Sequence, residues 1–235
     1  MKLLKNGKSW VAVKNNIDKS TLKNLILKSD ICISDLDGTD GEPGKIVLLS
    51  ELKSQNIINP KFICWALKNG LKLLKERKNA ESEVWKSYVQ NYLRGKNEIK
   101  KKKKLLKNIE KVIYPGVEEF YELLDCYKIY LTRNTIEISS LFAYYFKFNQ
   151  VIAQTYDKEK AVCRLVEKGM FKRFILKGDT VEDEASFDAL KFYEKKGKIE
   201  YVIGIYITKK KRLNEKFEVN IGKNYEGLVS ILKEN

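Results

Sequence analysis

The sequence contains no histidine, so it lacks the side chain that most often transfers protons near neutral pH. This absence excludes histidine-based catalysis and the zinc sites that need imidazole ligands. The four cysteines form no Cys-x-x-Cys pair and lie in apolar stretches; they are Cys32, Cys64, Cys126 and Cys163. We therefore expect free thiols in a reducing compartment.

Long apolar segments are also missing. No uninterrupted apolar run approaches the roughly 20 residues that a membrane-spanning helix needs. The segment Met1–Gly7 is too short and too charged for a signal peptide. These observations predict a cytoplasmic protein that does not contact a membrane.

Positive charge is in excess, with 46 Lys and Arg against 31 Asp and Glu, which gives a formal net charge of +15. Such an excess is compatible with a nucleic-acid partner. The cations are mostly lysines spread along the chain, and lysine, asparagine and isoleucine are all frequent. A compositional bias is therefore the favoured explanation, with nucleic-acid association left open.

At 235 residues, the chain is long enough for one domain with a substantial core and an insertion. Strand and helix patterns alternate, which is typical of α/β proteins. Segments 9–13 and 201–207 are predicted strands, and Asp18 is a predicted N-cap for a helix reaching Lys28. We predict a Rossmann-like, mostly parallel sheet.

Two aspartates carry the strongest chemical signal. Asp35 and Asp37 follow the apolar run Ile31–Ile33 and precede Gly38, so we expect both at the carboxyl end of a strand, where open α/β sheets bind ligands. Close carboxylates repel each other unless a cation or a shared proton relieves them. A calcium loop would need a glutamate at the twelfth position, which is Ile46 here.

The segment Asp35-Leu-Asp-Gly-Thr39 resembles the first motif of the haloacid dehalogenase (HAD) superfamily, which consists mostly of magnesium-dependent phosphatases. Three further segments resemble its other motifs, in the expected order. They are Thr132-Arg-Asn134 after an apolar strand, Lys158 at the start of a helix, and Gly178-Asp179-Thr-Val-Glu-Asp183 after another apolar strand.

The resemblance implies a role for each of these residues. Asp35 would be the nucleophile that forms an aspartyl-phosphate, and Asp37 the general acid and base. Thr132 and Lys158 would bind the phosphoryl group. The Mg²⁺ ligands would be the carboxylates of Asp35 and Asp179, the backbone carbonyl of Asp37 and, directly or through water, Asp183. Lys160 and Lys177 remain alternatives to Lys158.

Residues 45–112 are predicted to be helical and lie between the first and second motifs. An insertion at this position resembles a C1-type HAD cap, with residues 1–44 and 113–235 forming the core. The run Lys100–Lys104 within the insertion is interpreted as a solvated surface; steering of anions is the alternative.

The resemblance implies hydrolysis of a small phosphorylated metabolite. A phosphotransferase or mutase on the same scaffold and a nucleic-acid-associated HAD protein are the alternatives. HAD dehalogenases generally lack the second aspartate of the first motif, so Asp37 argues against dehalogenation. The sequence does not indicate an oligomeric state.

Overall fold

The structure is a computed structural model that describes residues 1–5, 9–43, 98–208 and 213–234. Within these residues, a central sheet is covered by helices on both faces, so the predicted α/β class is confirmed. The strands in chain order are β1 (Lys2–Lys5), β2 (Val11–Val13), β3 (Ile31–Ser34), β4 (Tyr127–Leu131), β5 (Gln150–Ile152), β6 (Arg173–Gly178), β7 (Tyr201–Ile207) and β8 (Val219–Ile221).

The sheet order is β1-β2-β8-β7-β6-β3-β4-β5. The six strands from β8 to β5 pair in parallel, whereas β2 pairs antiparallel with both β8 and β1. β3 therefore lies between β6 and β4. This placement creates a topological switch point at the carboxyl end of β3, where ligands bind in open α/β sheets.

Seven α-helices accompany the described strands. They are α1 (Lys19–Leu27), α2 (Glu98–Leu106), α3 (Val117–Glu122), α4 (Ile136–Tyr145), α5 (Lys158–Glu167), α6 (Val181–Lys195) and α7 (Glu226–Lys233). Among the residues described, none of these helices combines the length and the apolar character that crossing a bilayer requires.

The sheet separates two hydrophobic cores. Alternation along β3 sends Cys32 into the first core, with α1, α3, α4 and α7, and sends Ile31 and Ile33 into the second, with α5 and α6. The parallel strands are thus buried on both faces, which explains their nearly continuous apolar sequences. We call the two sides of the sheet the first face and the second face.

The segment before the first motif adds both a sheet edge and a helix. β1 and β2 extend the sheet beyond β8, and the β1–β2 register is irregular between Leu3 and Lys5. The predicted helix begins where expected because the Asp18 carboxylate accepts a 2.7 Å hydrogen bond from the Thr21 amide.

Residues 44–97, which contain most of the predicted cap, lie outside the described residues. The described end of this insertion packs against the core: Leu105 and Ile109 are fully buried within the first core. A short 3₁₀ helix, Ile109–Lys111, then leads toward α3. The cap and its boundaries at 45 and 112 stay a prediction.

Candidate active site

Three predicted site residues follow neighbouring parallel strands. Asp35 comes after β3, Thr132 after β4 and Asp179 after β6, and β3 pairs with both of the other strands. Parallel strands end at the same edge of a sheet, so the fold brings these residues to the switch point. The remaining predicted residues reach the same edge from helices, because Lys158 opens α5 and Asp183 lies in the first turn of α6.

Lys158 connects two of the carboxylates. The Asp157 carboxylate caps α5 by accepting a 2.9 Å hydrogen bond from the Lys160 amide, which fixes the first turn of the helix. The Lys158 ammonium then lies 2.7 Å from Asp183 Oδ1 and 3.1 Å from Asp35 Oδ2. Burial opposes its charge, but the two carboxylates outweigh burial and raise the pKa of Lys158.

The two alternative lysines lie elsewhere. Lys160 is exposed on α5. Lys177 is fully buried on the first face of the sheet, where its ammonium lies 2.7 Å from Asp40 Oδ1. Lys158 is therefore the lysine that the structure places at Asp35, although its role in phosphate binding stays a prediction.

Asp183 holds the fourth motif together. Its Oδ2 accepts hydrogen bonds from the Asp179 amide at 3.1 Å, the Thr180 amide at 3.1 Å and the Thr180 hydroxyl at 2.7 Å. A Cβ on Gly178 would lie 2.2 Å from the Asp183 carboxyl carbon, so the motif requires glycine there. With Oδ1 bonded to Lys158, the Asp183 carboxylate is well suited to orient its neighbours.

The site carries more negative charge than its described cations neutralise. Single oxygens of Asp35, Asp179 and Asp183 lie within 4.8 Å of one another. Burial raises the pKa of Asp35 to about 6, with Lys158 opposing and Asp183 adding to the rise. Burial, then Asp35, Asp183 and Asp37, raise the pKa of Asp179 to about 7. Such a set of hard oxygen ligands fits Mg²⁺, which would relieve this repulsion.

The loop after β3 passes directly over Asp179. Gly38 has φ +81°, and a Cβ there would lie 2.1 Å from Asp179 Oδ2. Thr39 Oγ1 lies 3.4 Å from Asp179 Oδ1. Asp37 is exposed, in contrast to the buried Asp35. The loop thus presents one carboxylate to the interior of the site and one to its solvent side, while its glycine allows Asp179 to approach.

Thr132 is buried at the end of β4. Its hydroxyl oxygen accepts a 3.2 Å hydrogen bond from the Asn134 amide, and its backbone amide donates to the Ile152 carbonyl at 3.0 Å. Within the described part of the chain, this hydroxyl hydrogen has no acceptor, so it is available to an anion at the switch point. Phosphate binding by Thr132 stays a prediction.

Sequence reasoning missed two ion pairs near the site. Arg133 and Glu182, the immediate neighbours of Thr132 and Asp183, form an exposed ion pair of 3.0 Å. Asp40 and Lys177 form a buried ion pair on the first face. A lysine within the otherwise apolar β6 signals a buried partner, but the sequence does not identify that partner as Asp40.

No protein-family model and no curated protein matches the chain. Several solved structures match the chain. A cytosolic 5′-nucleotidase IIIB bound to cytidine is 10% identical, with a TM-score of 0.54, over 95% of this chain and 93% of that one. A substrate-bound phosphoserine phosphatase is 12% identical, with a TM-score of 0.50, over 88% and 99%.

A third match, the HAD-hydrolase YfnB from Bacillus subtilis bound to magnesium, is 11% identical with a TM-score of 0.48, over 88% and 99% of the two chains. At these identities the likeness concerns the fold. The sheet order and these matches together show that this chain shares the fold of the 5′-nucleotidase and of the phosphoserine phosphatase.

Proposed function

We propose that this chain is a magnesium-dependent phosphomonoester hydrolase that acts through an aspartyl-phosphate on Asp35. The observation that carries the proposal is the position of this carboxylate. Asp35 is buried at the switch point, its Oδ2 is held by Lys158 at 3.1 Å, and Asp179 offers a further carboxylate within 4.8 Å. The proposed nucleophile, a buried lysine and the carboxylates proposed to bind the metal thus lie close together, which supports the proposal.

In the proposed reaction, a carboxylate oxygen of Asp35 forms a bond to phosphorus while the bond to the leaving alcohol breaks. Asp37, on the exposed side of the loop, gives its proton to the departing oxygen. It then takes a proton from the water that hydrolyses the aspartyl-phosphate, which releases inorganic phosphate and restores Asp35.

The other residues would neutralise the charge of the phosphoryl group and orient it. Lys158 would hold both Asp35 and the phosphoryl group, and Thr132 would donate its hydroxyl hydrogen to a phosphoryl oxygen. Mg²⁺, held by Asp35, Asp179 and the Asp37 carbonyl, would supply charge neutralisation for the phosphoryl oxygens. Asp183, whose carboxylate accepts four hydrogen bonds, would keep Lys158 and Asp179 in place or act through a metal-bound water.

The substrate proposed is a small phosphorylated metabolite. Two of the structural matches are named as a nucleotidase and a phosphatase, which agrees with this reaction class. Phosphoryl transfer to a second substrate remains the alternative, because it would use the same residues as hydrolysis.

Hydrolysis of an aryl phosphate, followed by a panel of phosphorylated metabolites, tests the proposal. We expect release of inorganic phosphate that requires Mg²⁺ and stops when the metal is chelated. Full activity in chelator, with the metal content of the protein measured, would overturn the metal assignment. Including alcohol acceptors distinguishes the alternative, because a transferase would yield a new phosphate ester in place of inorganic phosphate.

A further inference from the structure

A second charged group lies on the first face of the sheet, beneath the loop that follows β3. Lys177 Nζ and Asp40 Oδ1 are 2.7 Å apart, and both side chains are completely buried. Removing two charges from water is costly, and a buried pair often stabilises a protein no more than apolar residues of the same volume would. A contribution to global stability is therefore not a sufficient reason for a buried ion pair at this position.

Tyrosine side chains surround both members of the pair. Asp40 Oδ2 accepts hydrogen bonds from the Tyr130 hydroxyl at 2.9 Å and from the Tyr121 hydroxyl. The Lys177 ammonium lies 4.2 Å from the centre of the Tyr121 ring and 4.6 Å from that of Tyr225, close enough for cation–π attraction. It also donates to the Tyr225 hydroxyl at 3.2 Å. These contacts hold both charges in one arrangement.

This arrangement fixes the backbone on both sides of Asp37. The Tyr225 hydroxyl, which accepts from Lys177, donates to the Thr39 carbonyl at 3.1 Å. On the other side, the Ser34 hydroxyl lies 2.7 Å from the Asp35 carbonyl and 3.2 Å from Asp40 Oδ2. The network thus contacts the loop that presents the nucleophile and the proposed general acid.

Lys177 links this loop to the strand that carries Asp179. Its own carbonyl accepts the Asp35 amide at 3.1 Å, its side chain binds Asp40, and Asp179 follows two residues later. The Asp40 amide closes the loop by donating to the Leu36 carbonyl at 3.0 Å. The pair therefore joins the two chain segments whose carboxylates form the proposed metal site.

We propose that Asp40 and Lys177 are positioning residues: their buried ion pair sets the distance between the Asp35–Asp37 loop and Asp179, and so the geometry in which Mg²⁺ and the phosphoryl group are bound. The effect on catalysis rests on the proposed function. The effect on metal binding and on loop order does not, because both are measurable without a substrate.

The test compares Lys177→Met, Asp40→Asn and the double variant with the unaltered chain. The three readouts are the Mg²⁺ concentration at half-maximal thermal stabilisation, hydrogen exchange of residues 34–41, and kcat and KM for an aryl phosphate. In each single variant we expect at least a tenfold higher Mg²⁺ midpoint, faster exchange in the loop and at least a tenfold lower kcat. KM at saturating Mg²⁺ should change less than threefold.

Lys191→Met is the matched control. Lys191 also forms an ion pair, 3.0 Å from Glu218, and lies 5.4 Å from the centre of the Phe187 ring, but in α6, where its partners do not hold the loop. Its loss should lower the melting temperature and leave the Mg²⁺ midpoint, kcat and loop exchange within twofold.

If Lys177→Met does not fold, Tyr225→Phe decides, because it removes the hydroxyl that accepts from Lys177 and donates to the Thr39 carbonyl, and so breaks the link between the ion pair and the loop. The proposal would be overturned by a folded single variant whose Mg²⁺ midpoint and loop exchange are both unchanged. If Lys177→Met does not fold, the same result for Tyr225→Phe would overturn it. If the unaltered chain has no phosphatase activity, the proposed function is refuted. The positioning role is still supported if the variants change the Mg²⁺ midpoint and the loop exchange.

Discussion

The carboxyl end of the sheet carries one charged cluster on each face, and the two are neutralised to different degrees. On the second face, Lys158 lies between Asp35 and Asp183, and the pKa values of Asp35 and Asp179 are raised to about 6 and about 7. On the first face, Asp40 meets one lysine and three tyrosine hydroxyls inside the core. The second-face cluster is therefore left with excess negative charge, whereas the first-face cluster has its partners within the protein.

This difference shows that buried charge alone does not identify a reactive site. Both clusters pair a buried lysine with aspartate, and the two are joined through the loop from Asp35 to Asp40. Excess negative charge beside an exposed Asp37 distinguishes the cluster suited to a ligand. The predictions below test that distinction, beginning with the change that should have the largest effect.

Asp35→Asn should abolish turnover, with a loss of kcat on the order of 10⁴-fold or more, because the amide is a poor nucleophile. No phosphoenzyme should accumulate after acid quenching with a labelled substrate. Asp188→Asn, on the exposed side of α6, serves as the control and should retain activity. Substantial turnover by Asp35→Asn would assign the nucleophile to another residue.

Asp37→Asn should separate general acid catalysis from nucleophilic attack. We expect a loss of about 100-fold or more for alkyl phosphates, whose leaving groups need a proton, and a much smaller loss for p-nitrophenyl phosphate. The measurement is kcat/KM across a series of leaving groups. An equal loss throughout the series would contradict the assignment of Asp37 as the acid.

Gly38→Ala should damage the site more than an equally strained substitution elsewhere. Gly38 and Gly197 both have positive φ, +81° and +68°, but a Cβ at Gly38 would meet Asp179 Oδ2 at 2.1 Å, whereas nothing lies within 4 Å at Gly197. Both variants should lose about 1 kcal/mol of stability from backbone strain. Only Gly38→Ala should also weaken Mg²⁺ binding and lower kcat. Titration of the metal and steady-state kinetics measure these two effects. Equal behaviour of the two variants would argue against contact between the loop and Asp179.

The metal-free protein should lose stability as pH rises. The folded-state pKa values of Asp35 and Asp179, about 6 and about 7, exceed the ordinary value of 3.8, so the folded state binds more protons than the unfolded state between these values. Their contribution is most favourable below about pH 4 and is lost as pH rises through 6 to 7. The free energy of unfolding, measured with denaturant in the presence of chelator, should decline over this pH range. Both added Mg²⁺ and the Asp179→Asn substitution should reduce the decline. A free energy of unfolding that does not change with pH would contradict the raised pKa values.

The smallest effect is expected from the lysine run in α2. Lys100 and Lys103 are exposed, where solvent and salt screen their charges. Replacing both with glutamine should leave kcat/KM nearly unchanged at low and at high salt. A large loss that disappears at high salt would instead support anion steering by this run.

Sequence reasoning named the residues of the second-face cluster because four segments resemble the HAD motifs, each after an apolar strand or at the start of a helix. Asp35, Thr132 and Asp179 end apolar segments, and Asp157 caps the helix that begins at Lys158. The first-face cluster could not be derived in the same way. Lys177 lies beside Ser34 because β6 pairs with β3, and neither this pairing nor the return of Asp40 beneath the loop follows from local periodicity.

The outer strand of the sheet has a consequence for the behaviour of the protein at high concentration. An unpaired strand edge is a template on which another chain can add, and proteins counter this with lysines and irregular registers. β1 has a lysine at each end, Lys2 and Lys5, and its ladder with β2 is interrupted between Leu3 and Lys5. Among the described strands, β1 therefore has the features that oppose edge-to-edge aggregation.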